Sequence, residues 1–430
     1  MKHYFLSIVL FSLCWGWDGS VGAQTIQESN PGAGSGLTLT GAIQEALARN
    51  RDLAVAQTDL EISRGRLRQA RTYPHNPELI LEGDAGRGTG REDSADRRGL
   101  WGARIGLGQV LEIRGQQGLR SQVAESDTAR TEWEVQEAER EVVSATMRAF
   151  SELLIAQERL ALTREMLDLF TRLKSTAEDL ARAGAVPELD ALRAEVERRR
   201  VATRITLEEG ALAAAKGNLG LLIGAPQGFP FRVTGLLLYE PLKGGPQELV
   251  ATARSRRPDL KAEEAALQSA AASLRLIRAE RVLPSVTLSA SYSRGADYDA
   301  YNQRGILGVS VPLPLVNRRE GDLAAAEAAV RRGEAQRARV LARIEKEVFT
   351  TYETYSAGQK VVKEFAARIV PAHEENVRLI EQGYRLGELR LTDALLAQRD
   401  LFETRSVYLE VIAAHNRALT ELYWATGVRP

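Results

Sequence analysis

The sequence repeats itself over a long distance. The segment Asn50–Leu53 (Asn-Arg-Asp-Leu) returns as Arg257–Leu260 (Arg-Pro-Asp-Leu). Further pairs of matching residues follow. Through Pro77 and Pro284 the two members of each pair are separated by one constant number of residues. After a shorter loop in the second half, they are separated by another constant number. These pairs include Leu67 and Leu274, Pro77 and Pro284, Gly118 and Gly321, Gly184 and Gly387, Asp190 and Asp393, Leu219 and Leu422, and Gly224 and Gly427. A register kept this long predicts that both halves fold into the same arrangement of elements.

Each half is predicted to contain a helix, two short strands, a very long helix and a shorter closing helix. The first half places them at about 39–72, 78–88, 100–111, 116–182 and 188–223, and the second at about 246–281, 284–294, 304–313, 320–385 and 391–426. The predicted domains are a signal peptide at 1–23, a first repeat at 24–224, a linker rich in Gly and Pro at 225–245, and a second repeat at 246–430.

The strands alternate between apolar residues and small or polar ones. In the third strand the apolar set alternates with Ser and Thr, and its members are Val286, Leu288, Ala290 and Tyr292. Such a period of two is typical of a transmembrane barrel with lipid outside and water inside. It is also typical of a half-buried strand in a soluble sheet. The strands alone favour the soluble sheet over the barrel.

The loops between the strands favour the barrel. Asp84–Gly99 is rich in glycine and charge, and Asp297–Gln303 is polar and aromatic, as expected for exposed loops at a barrel mouth. Four strands cannot close a barrel, because an open edge in lipid leaves backbone groups unpaired. Three chains would supply about twelve strands, which is enough to enclose a water-filled lumen.

The long helices carry apolar residues at spacings of three and four, which predicts coiled-coil packing. One such stripe consists of Val143, Met147, Phe150 and Leu154. A helix over 116–182 would rise roughly 100 Å at about 1.5 Å per residue, longer than an ordinary globular domain. Pro371 interrupts the second long helix and is expected to kink it.

The N-terminus has the features of a secretory signal. An apolar run, Tyr4–Trp17, follows Lys2, and Val21–Ala23 supplies small residues for cleavage. A membrane anchor is the alternative, although the run is short for a spanning helix. Cys14 is the only cysteine and lies inside this segment, so the mature chain has no thiol. Lys plus Arg and Asp plus Glu both number 57, and this balance does not favour a nucleic-acid partner.

The two turns that join the long and closing helices have a common pattern, a glycine followed six residues later by an aspartate. They are Arg182–Asp190 and Tyr384–Asp393. The glycine suits the left-handed conformation that ends a helix, and the aspartate can cap the next one. With the repeated order of elements behind a signal peptide, these turns resemble the TolC family of outer-membrane efflux proteins over nearly the whole mature chain. Asn76–Leu79 resembles the cobalt–zinc–cadmium and copper–silver branch.

The resemblance implies a mainly helical fold with a small transmembrane β part. Three chains would form a twelve-stranded barrel in outer-membrane lipid, continued into the periplasm by a helical coiled-coil barrel. The turns would form a tip that contacts a periplasmic adaptor, itself joined to an inner-membrane pump. The implied adaptor contacts are Arg182, Gly184, Arg385 and Gly387, and the implied pore gate consists of Asp190, Tyr384, Arg390 and Asp393. Leu389 stands where the family has a gate arginine.

Other functional classes fit the sequence poorly. His75, His373 and His415 lie far apart, and no phosphate loop, nucleophile elbow or dinucleotide fingerprint is present. We therefore expect no catalytic residue, no cofactor and no metal site. The alternative function is that of a soluble periplasmic coiled-coil adaptor, although such a protein usually has one helical hairpin and many more strands.

Overall fold

The computed structural model describes residues 36–87, 99–184, 186–226, 231–282, 285–296, 301–386 and 388–428. The predicted order of elements is found in both halves. The first half contains α1 Leu39–Arg49, α2 Arg51–Arg71, β1 Glu78–Arg87, β2 Gly99–Leu111, α3 Gln116–Arg182 and α4 Glu188–Leu222. The second contains α5 Pro246–Arg256, α6 Pro258–Val282, β3 Val286–Ala296, β4 Tyr301–Ser310, α7 Glu320–Glu364, α8 Val370–Arg385 and α9 Leu391–Thr426. The predicted signal peptide lies outside the described residues.

The first helix of each half is two helices, where the sequence predicted one. Asn50 separates α1 from α2: its side chain accepts hydrogen bonds from the amides of Asp52 and Leu53, at 2.9 and 3.2 Å. This is the geometry of a helix N-cap. Arg257 separates α5 from α6 with an extended backbone. The proline that follows it, Pro258, disfavours the helical conformation at the preceding residue.

The four strands form one antiparallel sheet in the order β1-β2-β3-β4, so β1 and β4 are its free edges. The second hairpin lies two to three residues from its predicted position. The prediction for the fourth strand extended through Pro312, but β4 ends at Ser310, and proline has no amide for a strand ladder. β1 ends at Arg87, one residue before its predicted end, and therefore includes the first four residues of the segment predicted as a loop from Asp84. Residues 88–98 and 297–300 of the predicted loops lie outside the described residues.

The sheet register places apolar side chains in rows on one face. Leu79 lies opposite Leu107, which lies opposite Ala290, which in turn lies opposite Leu307. The opposite face carries small and polar residues, including Gly106, Gly108, Ser289, Ser291 and the ion pair of Glu82 with Arg104 at 2.7 Å. The predicted alternation of the second and third strands is therefore confirmed.

The first long helix, α3, runs without interruption for 67 residues between its predicted ends. The second contains a π-helical turn at Phe365–Ile369, immediately before Pro371, and continues as α8. The amide of Val370 donates to the carbonyl of Phe365, one residue further back than in an α-helix. Because Pro371 has no amide, the backbone accommodates it with a wider turn.

The helices pack in three main apolar clusters. The first joins α1, α3 and α4 around Phe150 and Leu153, and the second joins α5, α6, α7 and α9 around Ile344 and Leu419. The third lies where both interhelical turns meet and is described below. Among the described residues, no helix is both long enough and apolar enough to cross a membrane.

The repeat is visible in the contact that the last helix of each half makes with the first helix of that half. Gly224 and Gly427 end the closing helices with left-handed backbones, at φ of 66° and 67°. A Cβ atom on Gly224 would lie 2.9 Å from the Cβ of Arg49, and one on Gly427 would lie 3.5 Å from the Cβ of Arg256. Arg49 and Arg256 are the last residues of α1 and α5. Each half thus packs its final helix against the end of its first helix.

Candidate functional site

The two interhelical turns meet at one end of the helical bundle. Their shared apolar cluster consists of Met166, Phe170, Ala177, Val201, Leu391, Leu395 and Phe402. Tyr384, just before the second turn, and Ala191, just after the first, pack against it. Residues more than 190 positions apart in the sequence are brought together here. We call this region, Arg182–Val196 together with Tyr384–Arg399, the tip.

The first turn has the predicted glycine but not the predicted cap. Gly184 adopts φ of 73°, and its amide donates to the carbonyl of Ala181 at 2.9 Å. Asp190 is the third residue of α4, and its side chain makes no capping hydrogen bond. The residue at the cap position is Pro187, which has no amide for the carboxylate to accept from. The cap predicted for Asp190 is therefore wrong, and the carboxylate pairs with Arg193 at 3.5 Å.

The second turn contains the cap that the first lacks. The carboxylate of Asp393 accepts a hydrogen bond from the amide of Arg390 at 3.0 Å. Leu389, which replaces the family arginine, folds back over Gly383: a Cβ atom on that glycine would lie 2.8 Å from a methyl carbon of Leu389. This leucine closes the turn by apolar packing. Gly387 and the side chain of Arg385 lie outside the described residues.

Tyr384 and Asp190 are close in space but are not hydrogen-bonded within one chain. The Tyr384 hydroxyl is buried, and no described residue gives it a hydrogen-bond partner. Burial raises the pKa of Tyr384 above its usual value, and the negative charge of Asp190 raises it further. The carboxylate of Asp190 therefore lies near enough to affect the Tyr384 hydroxyl electrostatically, without a hydrogen bond between them.

Two further predicted tip residues lie at the surface. Arg182 is largely exposed and pairs with Asp179 on its own helix. Arg390 is also exposed and contributes its backbone amide to the cap. Of the predicted gate residues, the structure brings Asp190 near Tyr384 and Arg390 near Asp393.

Sequence reasoning missed an apolar groove at the tip. It lies between α4 and α9 and has a volume of about 340 Å³. Its apolar lining includes Leu189, Leu192, Val196, Leu395 and Leu396. Leu192 is 60% exposed, although it is large and apolar. The spacing of three and four along α4 was a signal for this face, but its pairing with α9 could not be inferred from sequence.

The sheet is a second functional surface. On the face with the apolar rows, large apolar side chains are exposed in the single chain. The exposed fraction of Leu307 is 87%. Exposed apolar patches of this kind mark contact with lipid or protein. The other face carries mainly small and polar residues and the ion pair of Glu82 with Arg104, although Ile80 and Ile306 also lie on it.

A family comparison decides between the sequence-based alternatives. The family model described as outer membrane efflux protein matches residues 42–225 and 249–428. The chain belongs to this family. Its function is therefore that of an outer-membrane efflux channel, and the alternative of a soluble adaptor is set aside. The predicted location in the outer membrane, extending into the periplasm, is confirmed.

Individual relatives agree with this assignment. The cobalt–zinc–cadmium resistance protein CzcC of Cupriavidus metallidurans is 25% identical over 90% of this chain and 89% of its own length. A crystal structure of CusC is 22% identical, with a TM-score of 0.72 over 90% of this chain and 92% of its own. A structure of the outer membrane protein VceC from Vibrio cholerae is 20% identical, with a TM-score of 0.72 over 90% and 96%. The predicted fold class is confirmed.

Proposed function

We propose that three copies of this chain form a duct that crosses the outer membrane and the periplasm. The sheet carries this proposal. Its edges, β1 and β4, are free, and unpaired backbone at an edge is not tolerated in lipid. Pairing β4 of one copy with β1 of the next satisfies both edges. Three copies then give about twelve strands around a polar lumen, with the apolar rows facing lipid.

The helices continue this duct on the periplasmic side. In both hairpins, the strand ends that the hairpin connects lie on one side of the sheet. The long helices follow from the strand ends on the opposite side. With 67 residues, α3 is roughly 100 Å long at about 1.5 Å per residue. A duct of this length reaches far enough to meet proteins of the inner membrane. We assign it to a tripartite system with a periplasmic adaptor and an inner-membrane pump.

The tip is the gate of the proposed duct. Asp190 and Tyr384 latch it in the closed state, and Asp393 forms a ring of three carboxylates around the axis, beside Arg390. A ring of this kind favours cations and can bind a blocking multivalent cation. The surface of the turns, at Arg182, Gly184, Arg385 and Gly387, contacts the adaptor, and this contact draws the tip open. The chain itself is not an enzyme, and the pump supplies the energy.

Metal cations are the cargo that we propose. The match to CzcC over most of both chains supports this choice, as does the resemblance of Asn76–Leu79. Among the described residues, no group of three or more His, Cys, Asp or Glu could hold a metal ion. In the proposed function the ion is cargo in a wide aqueous lumen and needs no resident site.

Planar-bilayer recording, together with the mass of the detergent-solubilised protein, tests the duct. We expect a trimer with discrete, cation-selective openings that multivalent cations block from one side. A monomer without channel activity would overturn the proposal. The cargo is tested separately in cells that lack their own duct: restored growth on cobalt, zinc or cadmium supports metal export. Growth restored only on drugs would contradict the metal assignment and leave the duct intact.

A further inference from the structure

The apolar face of the sheet carries the cationic side chain of Arg294. Arg294 of β3 is paired with Ala103 of β2 and Gln303 of β4. Its row therefore shares the face of Leu79, Leu107, Ala290 and Leu307. Its side chain is exposed. Among the residues that the structure describes, none forms an ion pair or hydrogen bond with it. An unpaired guanidinium on a face that meets lipid is costly unless an anion satisfies it.

Aromatic residues lie on both sides of Arg294 along the barrel axis. Tyr292 is two residues before Arg294 on the same strand and is 46% exposed. Trp101 is paired with Ala296, in the next row on the other side of Arg294, and is 43% exposed. Tyr and Trp are typical of the belt where lipid tails meet headgroups. The row of Arg294 therefore lies at headgroup depth.

The row also contains a depression that a ligand could occupy. Its other members are Gly83, Ala103 and Gln303, and the small size of Gly83 and Ala103 leaves a groove of about 450 Å³ next to Arg294. Its lining on this face is completed by Leu81, Ile105 and Tyr292. The groove is thus apolar on one side and cationic at one end. That combination matches a molecule with hydrocarbon chains and an anionic head.

The position in the strand selects the leaflet. Arg294 lies two residues from Ala296, where β3 ends at its hairpin loop. The opposite ends of the strands lead into the helices. If the helices are periplasmic, as in the function proposed above on which this inference rests, Arg294 lies at the outer surface.

We propose that Arg294 binds a phosphate of a phosphorylated lipid of the outer leaflet. The planar guanidinium matches phosphate oxygens in a bidentate arrangement. Trp101 and Tyr292 flank the headgroup, and the acyl chains lie along the apolar rows below. In a trimer the site occurs three times around the barrel and fixes its depth in the membrane. The apolar lining favours a lipid-borne phosphate over free phosphate, because free phosphate would lose its hydration and gain no apolar contact.

Native mass spectrometry of the full trimer in neutral detergent tests the site. The probes are diphosphorylated lipid A and the same lipid with both phosphates removed. We expect the phosphorylated probe to bind roughly tenfold more tightly than the other, and Arg294→Gln to abolish that difference. Arg294→Lys should keep part of it. Arg304→Gln is the matched control, because Arg304 is on the neighbouring strand but faces the opposite side of the sheet.

Each other outcome has a defined meaning. Equal binding of both probes to the unmodified trimer, or an undiminished phosphate preference in Arg294→Gln, would overturn the site. Competition by inorganic phosphate at the same concentration as the lipid would show a free-anion site instead. Conductance of the same preparation separates the two proposals. A conducting trimer without phosphate preference refutes only the lipid site, whereas absence of conductance refutes the duct. Far-UV circular dichroism verifies that each variant is folded.

Discussion

Asp393 accepts a hydrogen bond from the backbone amide of Arg390 at 3.0 Å, and this bond starts the last helix of the chain. Its counterpart in the first half cannot do the same, because the matching cap residue is Pro187. One proline therefore gives two equivalent aspartates different roles. Asp393 is held by its own helix, whereas Asp190 is free to interact with Arg193 and with Tyr384.

The variant Asp393→Asn separates two roles of Asp393: the proposed ring of negative charges in the pore and the cap of the last helix. Asparagine keeps an oxygen that can accept from the Arg390 amide but loses the charge. We expect an unchanged fold, a lower preference for cations, and a block by trivalent cations weakened roughly tenfold. Bilayer recordings measure both effects. Glu388→Gln, in the same exposed turn, is the control, and an Asp393→Asn channel with unaltered selectivity would reduce the residue to a helix cap.

The latch predicts a leaky double variant. Asp190→Ala with Tyr384→Phe removes both partners in all three copies, and three hydrogen bonds of about 1 kcal/mol each would shift the balance of open and closed states roughly a hundredfold. We expect higher single-channel conductance or open probability. Arg193→Ala is the matched control, since it removes the other partner of Asp190 and leaves Tyr384 in place. Conductance equal to that of the unmodified channel would refute the latch.

The sequence predicted the long elements better than the breaks between them. The ends of α3 and α9 match the prediction because the apolar spacing stops where their turns begin. The break at Asn50 was missed because the apolar spacing continues through it, with Ala42, Ala46 and Leu53 all buried. The break at Arg257 had a local signal, the following proline. The boundaries assigned to the two repeats stay a prediction.

The tip was likewise predicted from the sequence only in part. The glycine-to-aspartate spacing identified both turns, and the conformation of Gly184 follows from its residue type. Sequence alone could not show that Leu389 would pack onto Gly383, or that α4 and α9 would leave a groove between them. Those contacts depend on how distant helices lie against one another. Because Pro187 has no backbone amide, the sequence itself excludes a cap by Asp190 at this turn.

Arg257 is expected to contribute far more to stability than a neighbouring arginine. Its side chain is 1% exposed, pairs with Asp259 at 2.7 Å and with Glu347, and lies over the Trp424 ring. Arg257→Met removes the buried cation, leaves both carboxylates paired only with the half-exposed Arg343, and should cost about 3 kcal/mol of unfolding free energy. Arg254 also reaches across to α7, where it pairs with Glu345, but it is 50% exposed. Arg254→Met should cost less than about 1 kcal/mol. Denaturant unfolding followed by circular dichroism compares the two, and equal losses would contradict this account.

His415 should make the helical part less stable in mild acid. It is buried against Tyr355, with ring centroids 5.2 Å apart, and no described residue hydrogen-bonds its Nδ1 atom. Burial lowers the pKa of His415 below its ordinary value of 6.5. As pH falls through that value, the unfolded chain binds a proton that the folded chain does not, so the free energy of unfolding decreases. The slope is at most about 1.4 kcal/mol per pH unit.

The variant His415→Leu removes this proton uptake and should flatten the dependence of unfolding free energy on pH between about 7 and about 5. The slope, not the absolute stability, is the decisive quantity, because the substitution can alter packing. A slope that His415→Leu does not change would mean that His415 binds its proton equally well in the folded and unfolded chains. The burial observed here would then have no consequence for stability in acid.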